Sequence, residues 1–325
     1  MTSAAPLESV PNISVGRNVA LVDELVDVTR AGALRGAERD GSRAAVVDVH
    51  RDEDHDRSVL TIIGTGAALE EALAELARAT IERVDIHAGH GVHPRVGVLD
   101  VLPIIALGGH DAASVDGHRA AVALVARLAS RIGALGVPVV RYGLDDDGCA
   151  IEGAEFAGRA RRGGPGAVRD RIAAGELMLA AGPATPHATA GVTLAGVRDV
   201  LIAFNVDLAA DDVDAARAIA ARIRASAAGP DALPGIRALG LRLSSRGVVQ
   251  VSTNVELFRT CGPERVLRTV ARLAQELGVE VAAAELVGLT PDSALGPLRY
   301  GCVSLGVPLL ACAEPSLDRA VGSVL

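Results

Sequence analysis

The order in which strand-like and helix-like patterns follow one another is the strongest constraint on how this chain folds. Short apolar runs alternate with segments of 3.6-residue periodicity, which is typical of α/β proteins. The order strand, helix, strand, strand, helix, strand occupies the first hundred residues and returns after residue 198. This order is the split β-α-β (ferredoxin-like) arrangement. We therefore predict an α/β (α+β) fold with two subdomains, residues 1–198 and 199–325, each a mixed β-sheet with helices on one face.

The predicted elements of the two halves are separated by a Gly- and Arg-rich stretch, Gly153–Gly191, in which periodicity is weakest. In the first half we predict strands at Val10–Ser14, Ala44–His50, Ser58–Gly64, Val96–Leu107 and Val137–Tyr142, and helices at Arg17–Leu34, Ala67–Arg83 and Ala112–Leu135. In the second half we predict strands at Asp199–Val206, Ile236–Ser244, Val248–Val255 and Val279–Leu289, and helices at Asp211–Ser226 and Pro263–Leu277. After Pro291 we predict only short helix and loop.

The composition excludes several kinds of chemistry. All 32 basic residues are arginine, so there is no lysine for a Schiff base, a P-loop or a kinase site. The formal net charge of −8, with no basic run interleaved with aromatic residues, argues against nucleic acid as a partner. We expect a small-molecule enzyme or binding protein, in which arginine is the residue available to pair with anionic groups.

The distribution of cysteines and of apolar residues bears on the cellular compartment of the protein. The four cysteines are scattered without a C-x-x-C pair, so we expect reduced thiols and no zinc ribbon. We find neither a signal-peptide pattern at the start nor an uncharged apolar run of membrane-spanning length. The sequence therefore predicts a cytoplasmic protein that has no membrane partner.

Histidines are concentrated in one segment of the chain. His87, His90 and His93 fall within seven residues, among glycines and a proline that rule out a regular helix. A histidine on such a loop can act as a general base near neutral pH, or can merely be a solvated loop residue. Three histidines also suggest zinc, with His50 and His55 as additional ligands, although H-x2-H-x2-H is not a common zinc spacing. We predict that no metal is needed and keep a metal-assisted hydrolase as an alternative.

The histidine segment continues into a run that resembles a known family signature. HPRVGVLDVLP, His93–Pro103, resembles the HPRxGxxDVxP run of glutamate formimidoyltransferase (formiminotransferase). Other segments resemble that family in the same order along the chain: VPNISVGRN at Val10–Asn18, DVHRDEDHDRSVLTIIG at Asp48–Gly64, VPVVRYG at Val137–Gly143, GPATPHATAGVTLAGVRDVLIAFNVDL at Gly182–Leu208, VQVSTN at Val249–Asn254 and ELVGLTPDSAL at Glu285–Leu295. The resemblance covers almost the whole chain.

The resemblance implies an activity and an assembly. The family transfers the formimino group of N-formimidoyl-L-glutamate to N5 of tetrahydrofolate during histidine degradation, with tetrahydrofolate as co-substrate and no metal. It has N- and C-terminal subdomains, residues 1–198 and 199–325 here, with folate bound in a groove between them, and it forms homodimers. We therefore expect two small-molecule partners, N-formimidoylglutamate and a folate, and a homodimer.

The resemblance also implies roles for individual residues. His93 matches the catalytic histidine, with Asp48 or Asp100 as the carboxylate that orients its ring. The loop Gly182–Gly191, with Gly182, Pro183, Thr185, His187 and Gly191, is implied to hold the folate. We expect arginines to pair with the carboxylates of the two substrates, and the candidates are Arg57, Arg162 and Arg198.

Some polar positions of the family pattern are changed in this chain: Val15, His50, Asp56, Val92 and Asp199. Two alternative functions follow from these changes: a folate-dependent transferase with another donor, and a non-catalytic ligand-binding or dimeric scaffold protein with the fold of the family. Tetrahydrofolate binding distinguishes the scaffold from the other two, and a formimino-transfer assay distinguishes the two enzymes.

Overall fold

A computed structural model of the chain describes residues 5–89, 91, 94–107, 112–152 and 154–325. Its internal contacts divide it into two compact units: unit 1, Met1–Asp199 with Ser323–Leu325, and unit 2, Val200–Gly322. Each unit contains one mixed sheet, so the α/β (α+β) prediction is confirmed.

Unit 1 follows the predicted order of elements. Its strands are β1 Leu7–Ser9, β2 Asn12–Ile13, β3 Ala44–Asp52, β4 Arg57–Gly64, β5 Leu99–Ala106, β6 Val139–Gly143, β7 Leu179–Ala181 and β8 Thr193–Val197. Its helices are α1 Val19–Asp40, α2 Gly66–Arg83, α3 Ala112–Ala134, α4 Ala157–Ala160 and α5 Gly164–Ala173. Of the first predicted strand, Val10–Ser14, only Asn12–Ile13 is a strand; β1 precedes it and was not predicted, and Pro11, which cannot donate to the ladder, lies between the two.

The sheet of unit 1 has the strand order expected of a split β-α-β unit. β1 and β2 both lie between β4 and β5, antiparallel to each, and β3 pairs with the other edge of β4. Beyond β5, the strands β8 and β6 continue in parallel, and β7 closes the row antiparallel to β6. The carboxyl ends of β5, β6 and β8 therefore point the same way, and the loops that precede these strands meet at one end of the sheet.

The helices α1, α2 and α3 bury their apolar residues against one face of this sheet, together with Leu60, Ile62, Leu102 and Ile104. α1 ends at Asp40 rather than at Leu34. Gly36 lies where α1 crosses α2, and a Cβ there would lie 2.2 Å from the carbonyl oxygen of Ala67. The Gly- and Arg-rich stretch covers part of the opposite face, where Ala160 and Val168 join a small cluster with Val140 and Leu194.

Unit 2 repeats the arrangement with strands β9 Ile202–Leu208, β10 Ile236–Leu243, β11 Val248–Val255, β12 Val281–Val287 and β13 Leu309–Leu310, and helices α6 Val213–Ile223, α7 Pro263–Glu276, α8 Asp292–Leu305 and α9 Leu317–Val324. The strand order is β10-β11-β9-β12-β13.

The tail after Pro291 contains more regular structure than predicted, because α8 buries Leu295, Leu298 and Cys302 in the core of unit 2. Among the helices of the described residues, none has the length and apolar character to cross a membrane.

Candidate active site

The face of the unit 1 sheet opposite α1, α2 and α3 carries polar side chains, and we call it the polar face. Residues paired across antiparallel strands share a face, and alternate residues along a strand do so too. Glu8 pairs with Ile63, Asn12 with Val59, and Asp48 with Thr61. Alternation along β3 and β4 therefore places the following residues on the polar face: Glu8, Asn12, Asp48, His50, Arg57 and Thr61. Polar residues on this face are not needed to pack the helices, which makes the face a candidate site.

Asp100 lies at an irregularity in β5. Asn12 pairs with Val101 and Ile13 with Leu99, so Asp100 is the extra residue of a bulge. Such bulges commonly redirect a side chain beside a functional site. The residue is fully buried. Its Oδ1 accepts the backbone N–H of Val96 at 2.7 Å, and its Oδ2 accepts Arg57 Nη2 at 3.2 Å and Arg161 Nη1 at 2.5 Å. Asp100 therefore holds two arginines.

Arg57 and Arg161 contact this carboxylate, and Arg95 lies close enough to act on the charge of Arg57. Arg57 also donates from Nε to Oδ1 of Asn12 at 2.9 Å. The pKa of Arg57 is lowered to about 10, chiefly by burial; Asp100 opposes the change, and the positive charges of Arg161 and Arg95 contribute to it. Arg95 donates from Nη2 to the carbonyl of Gly89, and its Nη1 is buried without a partner among the residues that the structure describes. We call Arg57, Arg95 and Arg161 the arginine cluster.

His90 and His93, with Val92 between them, lie outside the described residues, but the loop around them can be placed. On one side, Ile86 donates its N–H to the carbonyl of Thr189 at 2.8 Å, and Nε2 of His87 lies 2.9 Å from the carbonyl oxygen of Ala188. On the other side, a Cβ on Gly91 would lie 1.8 Å from the carbonyl oxygen of His55, in the β3–β4 turn. The described residues next to His90 thus contact residues 188–189 through Ile86 and His87, and the β3–β4 turn through Gly91.

The loop Gly182–Gly191 follows β7 at the sheet edge and leads into β8, and its end lies against residues 96–98, just before β5. Gly182, Pro183 and Thr185 are exposed. His187 and Gly191 exchange two backbone hydrogen bonds of 2.9 Å. Nδ1 of His187 accepts the N–H groups of Thr189 and Ala190 at 3.3 and 3.1 Å, so this imidazole holds the loop closed. Gly191 has φ +69°, and a Cβ there would lie 2.2 Å from the Val96 carbonyl oxygen, so glycine is required.

Glu8 is a buried carboxyl group of the unit 1 sheet that lies within the electrostatic influence of Arg198. Arg198 follows β8 and donates its backbone N–H to the carbonyl of Ile104 at 3.2 Å. Glu8 is 4% exposed and lies opposite Ile63 and Ile105. Burial raises the pKa of Glu8 to about 7, and the charge of Arg198 partly offsets the rise. The carboxyl group therefore changes its charge near neutral pH, which ordinary glutamates do not do.

We expect Glu8→Gln to make the free energy of unfolding less dependent on pH. The folded-state pKa of Glu8 lies above its ordinary 4.5, so its contribution to stability is fully present below pH 4.5 and is lost as the pH rises through 7. One pKa unit corresponds to about 1.4 kcal/mol, so the loss is on the order of 3 kcal/mol. Urea unfolding at pH 5, 6, 7 and 8 measures it, with the exposed Glu38→Gln as control. Parallel pH curves for Glu8→Gln and the wild type would contradict this expectation.

The structure brings together some of the predicted site residues and adds others. Arg57 and Asp100 are in direct contact, and Asp48 shares the polar face with Arg57. Of the neighbouring arginines, Arg161 reaches Asp100, whereas Arg162, which we named from the sequence, is exposed. Sequence reasoning did not name Glu8, Asn12 or Arg95 as site residues, and from the basic stretch that contains Arg161 and Arg162 it chose Arg162. Glu8 precedes the first predicted strand, and nothing in the sequence distinguishes Arg161 from Arg162.

The polar face of the unit 2 sheet provides a contrast. Gln250 donates to Asp207 and Glu285, Arg246 donates to the same two carboxylates, and Asn205 donates to Glu285, all at 2.7–3.1 Å. Burial raises the pKa of Asp207. Every carboxylate oxygen of this pair has a donor, as expected of a structural network.

Comparison with known proteins gives matches along nearly the whole chain. A model described as the formiminotransferase domain, N-terminal subdomain, matches residues 6–198, and a formiminotransferase domain model matches residues 203–298. The chain is 32% identical over 290 residues to glutamate formimidoyltransferase of Streptococcus pyogenes serotype M1, covering 89% of this chain and 90% of that protein. For the Thermoplasma acidophilum protein of the same name the identity is 31%, with 89% of each chain covered. Formimidoyltransferase-cyclodeaminase of Sus scrofa is 34% identical, and the match covers 89% of this chain but 51% of the pig protein.

Proposed function

Because the chain belongs to the formiminotransferase family, we propose that it is a glutamate formimidoyltransferase, which moves a formimino group from N-formimidoyl-L-glutamate to N5 of tetrahydrofolate. One structural observation carries the proposal beyond the sequence similarity. Ile86 and His87 contact the Gly182–Gly191 loop, and Gly91 lies against the β3–β4 turn at His55. The described parts of the family-like segments 48–64, 93–103 and 182–208 are thus neighbours in space, as a single active site requires.

The transfer needs one proton to be moved between two nitrogens. The lone pair of N5 forms a bond to the formimino carbon, and N5 loses its proton. The bond from that carbon to the glutamate nitrogen then breaks, and this nitrogen gains a proton and leaves as the amine of glutamate. In the proposal, neutral His93 accepts the proton from N5 and its imidazolium returns it to the leaving nitrogen.

Asp48 is the better of the two proposed carboxylates for orienting His93. Both oxygens of Asp100 accept hydrogen bonds from Val96, Arg57 and Arg161, so Asp100 acts on the arginines. Asp48 is half-buried on the polar face, in β3, the strand that leads into the turn at His55. Asp100 is accordingly proposed as a positioning residue.

The Gly182–Gly191 loop is proposed to bind the folate. Gly182, Pro183 and Thr185 are exposed. Their side chains are small, so a flat ring can approach the backbone of the loop closely. His187 fixes the loop from within by accepting two backbone N–H groups. Arg198 is proposed to pair with a carboxylate of the folate tail.

An assay of the purified chain with N-formimidoyl-L-glutamate and tetrahydrofolate tests the proposed function. We expect equal amounts of glutamate and of the N5-formimino product. Tetrahydrofolate binding without glutamate release would favour another donor, and the absence of both would favour a scaffold protein. Measuring tetrahydrofolate affinity by calorimetry beside the assay separates these two outcomes.

We also propose that the protein is a homodimer and that it is located in the cytoplasm. Both are implied by the family, and light scattering after size-exclusion chromatography tests the first: the chain of 33.1 kDa is expected to elute at twice that mass. Fractionation of the source cells tests the second, with the protein expected in the cytosolic fraction.

We expect chelation of metal ions to leave the transferase activity unchanged. Among the described residues there is no group of three His, Cys, Asp or Glu side chains placed to hold a metal ion, while His90 and His93 lie outside that search. The proton transfer proposed for His93 needs a neutral imidazole with a free ring nitrogen, which a bound metal would occupy. Dialysis against EDTA followed by elemental analysis and assay measures this. Stoichiometric zinc, with activity lost on chelation and restored by zinc, would favour the hydrolase alternative.

A further inference from the structure

Glu8 is a buried carboxyl group that receives no hydrogen bond from the residues that the structure describes. The residue is 4% exposed, and it alternates with Leu7, which packs against the helices, so its side chain lies on the polar face. Its cross-strand neighbours on that face are Ile63 and Ile105, which are apolar. Buried polar groups ordinarily have a hydrogen-bond partner, so this carboxyl group is a candidate for contact with a ligand.

A second polar group without a partner lies diagonally across from Glu8. Thr61 is two residues from Ile63 in β4, on the same face, and is 1% exposed. Its Oγ1 is buried and has no hydrogen-bond partner among the described residues. Diagonal neighbours on antiparallel strands are about 7–8 Å apart, so one small ligand group can reach both side chains.

Arg198 supplies a positive charge on the other side of Ile105. It follows Val197, which pairs with Ile104, and its charge acts on Glu8. Among the contacts of the described residues, however, Glu8 and Arg198 form no ion pair. They are two strands apart, about 10 Å across the sheet, and a ligand carboxylate placed between the two side chains can bridge that distance.

We infer that Glu8, in its neutral form, donates a hydrogen bond to a carboxylate that Arg198 holds, and that this carboxylate belongs to the glutamate tail of tetrahydrofolate. The inference rests on the proposed function and adds a residue to its folate site. A protonated carboxyl group can donate to an anion, whereas an ionised one repels it. Burial raises the pKa of Glu8 to about 7, so the neutral form is available near neutral pH.

The position of Glu8 favours the folate tail over the donor as the source of the carboxylate. Gly91, two residues before His93, lies against the carbonyl oxygen of His55 in the β3–β4 turn. Glu8 lies opposite Ile63, about 20 Å along β4 from that turn. A rigid p-aminobenzoyl group separates the folate tail from N5, whereas both carboxylates of the donor are within a few bonds of the reacting nitrogen. The more distant carboxylate is therefore that of folate.

The charged surroundings of Glu8 bear on its titration. Its direct neighbours on β4 and β5 are apolar, and Arg198 is the charged residue that acts on its pKa. Farther along the polar face, the other titratable or charged residues of β3, β4 and β5 are Asp48, His50, Arg57 and Asp100. The pH dependence expected of the ligand site is therefore assigned to Glu8 and Arg198.

Tetrahydrofolate binding should weaken as the pH rises through 7. Ionisation of Glu8 removes the donor and places a negative charge beside the bound carboxylate. We expect the dissociation constant of the wild type to be about tenfold higher at pH 8 than at pH 6. At pH 7, calorimetry in two buffers of different ionisation enthalpy should show the uptake of about half a proton for each tetrahydrofolate bound.

Glu8→Gln is the test variant, and Glu38→Gln is its matched control. Both replace a glutamate by its amide, and Glu38 is exposed on α1. The amide still donates a hydrogen bond but does not ionise, so we expect Glu8→Gln to bind tetrahydrofolate within about threefold of the wild type at pH 6 and about tenfold more tightly than the wild type at pH 8. Glu38→Gln should follow the wild type at both pH values.

Glu8→Leu removes the donor altogether. At pH 6 it should bind tetrahydrofolate about tenfold to a hundredfold more weakly than Glu8→Gln, the usual effect of losing a hydrogen bond to a charged group. A leucine between Ile63 and Ile105 suits an apolar row, and circular dichroism checks folding. The proton uptake of the wild type tests the inference even where a variant does not fold.

Fragments distinguish the sources of the carboxylate. We expect the effect of Glu8→Gln on the pH dependence to appear with p-aminobenzoyl-L-glutamate, which has the tail alone, and to be absent with a tetrahydropterin that lacks the tail. The same effect with N-formimidoyl-L-glutamate, but not with p-aminobenzoyl-L-glutamate, would assign the site to the donor and overturn the inference.

Two other results would overturn it. One is an equal fall in affinity with pH in Glu8→Gln and in the wild type. The other is a wild-type affinity that rises with pH and is weakened in Glu8→Gln at both pH values, because ionised Glu8 would then accept a hydrogen bond from the ligand.

These binding measurements are independent of formimino transfer. If the wild type binds tetrahydrofolate with the expected dependence on pH and on Glu8 but transfers no formimino group, the proposed function fails and the inference stands. Transfer with no effect of Glu8 on binding has the opposite meaning. A chain that binds no tetrahydrofolate contradicts both.

Discussion

Replacing His93 with alanine is expected to lower turnover by about a hundredfold to ten-thousandfold, the usual contribution of a general acid or base. The imidazole handles one proton and does not hold the folate, so the affinity for tetrahydrofolate should change little. The kcat of the folded variant, measured beside its affinity for tetrahydrofolate, checks both expectations. The dependence of kcat on pH is a further readout, because the part of the profile that reports ionisation of His93 should be absent in the variant.

His87→Ala is the control for this prediction. Nε2 of His87 lies 2.9 Å from the carbonyl oxygen of Ala188, so this histidine braces the Gly182–Gly191 loop. We expect His87→Ala to weaken tetrahydrofolate binding more than it lowers kcat, the reverse of His93→Ala. His90→Ala is expected to be milder than His93→Ala as well. Near-normal turnover by folded His93→Ala would remove His93 from the mechanism and favour the scaffold or altered-donor function.

Asp100→Asn is expected to lower the free energy of unfolding by about 3–5 kcal/mol, the usual cost of removing one partner of a buried ion pair. The carboxylate is fully buried and contacts two arginines and a backbone N–H. Its loss leaves like charges facing one another in a poorly hydrated place. Urea unfolding measures the change, and Asp116→Asn, at an exposed pair with 3.8 Å between Asp116 and Arg119, should leave stability nearly unchanged.

A double-mutant cycle shows whether this cost comes from the ion pair. Asp100→Asn and Arg161→Gln remove opposite partners of one contact, so the double variant should lose less stability than the two single losses added together. Additive losses would mean that the two residues do not interact energetically, and would also weaken the role of Asp100 in positioning the arginine cluster.

Local patterns predicted most of the elements because a strand or a helix is recognisable from the spacing of its own residues. The segments AAVVDVH and SVLTIIG of β3 and β4 are examples. Where the prediction fell short, packing had decided the outcome. α1 passes Leu34 because Gly36 allows a close helix contact, and α8 forms because Leu295, Leu298 and Cys302 find a core to fill. Neither event is visible in a window of neighbouring residues.

The sequence by itself determined the family, the order of the elements in both units and the segments that supply the site. It also fixed arginine as the only strong cation, since the chain has no lysine. The tertiary structure decided which of these residues meet. A bulge in β5 directs Asp100 toward Arg57 and Arg161, residues 43 and 61 positions away, and leaves Arg162 exposed. Strand register and bulges bring together residues that are distant in the chain. The free energy that favours one register over another depends on burial in the folded protein, which cannot be read from any single segment of the sequence.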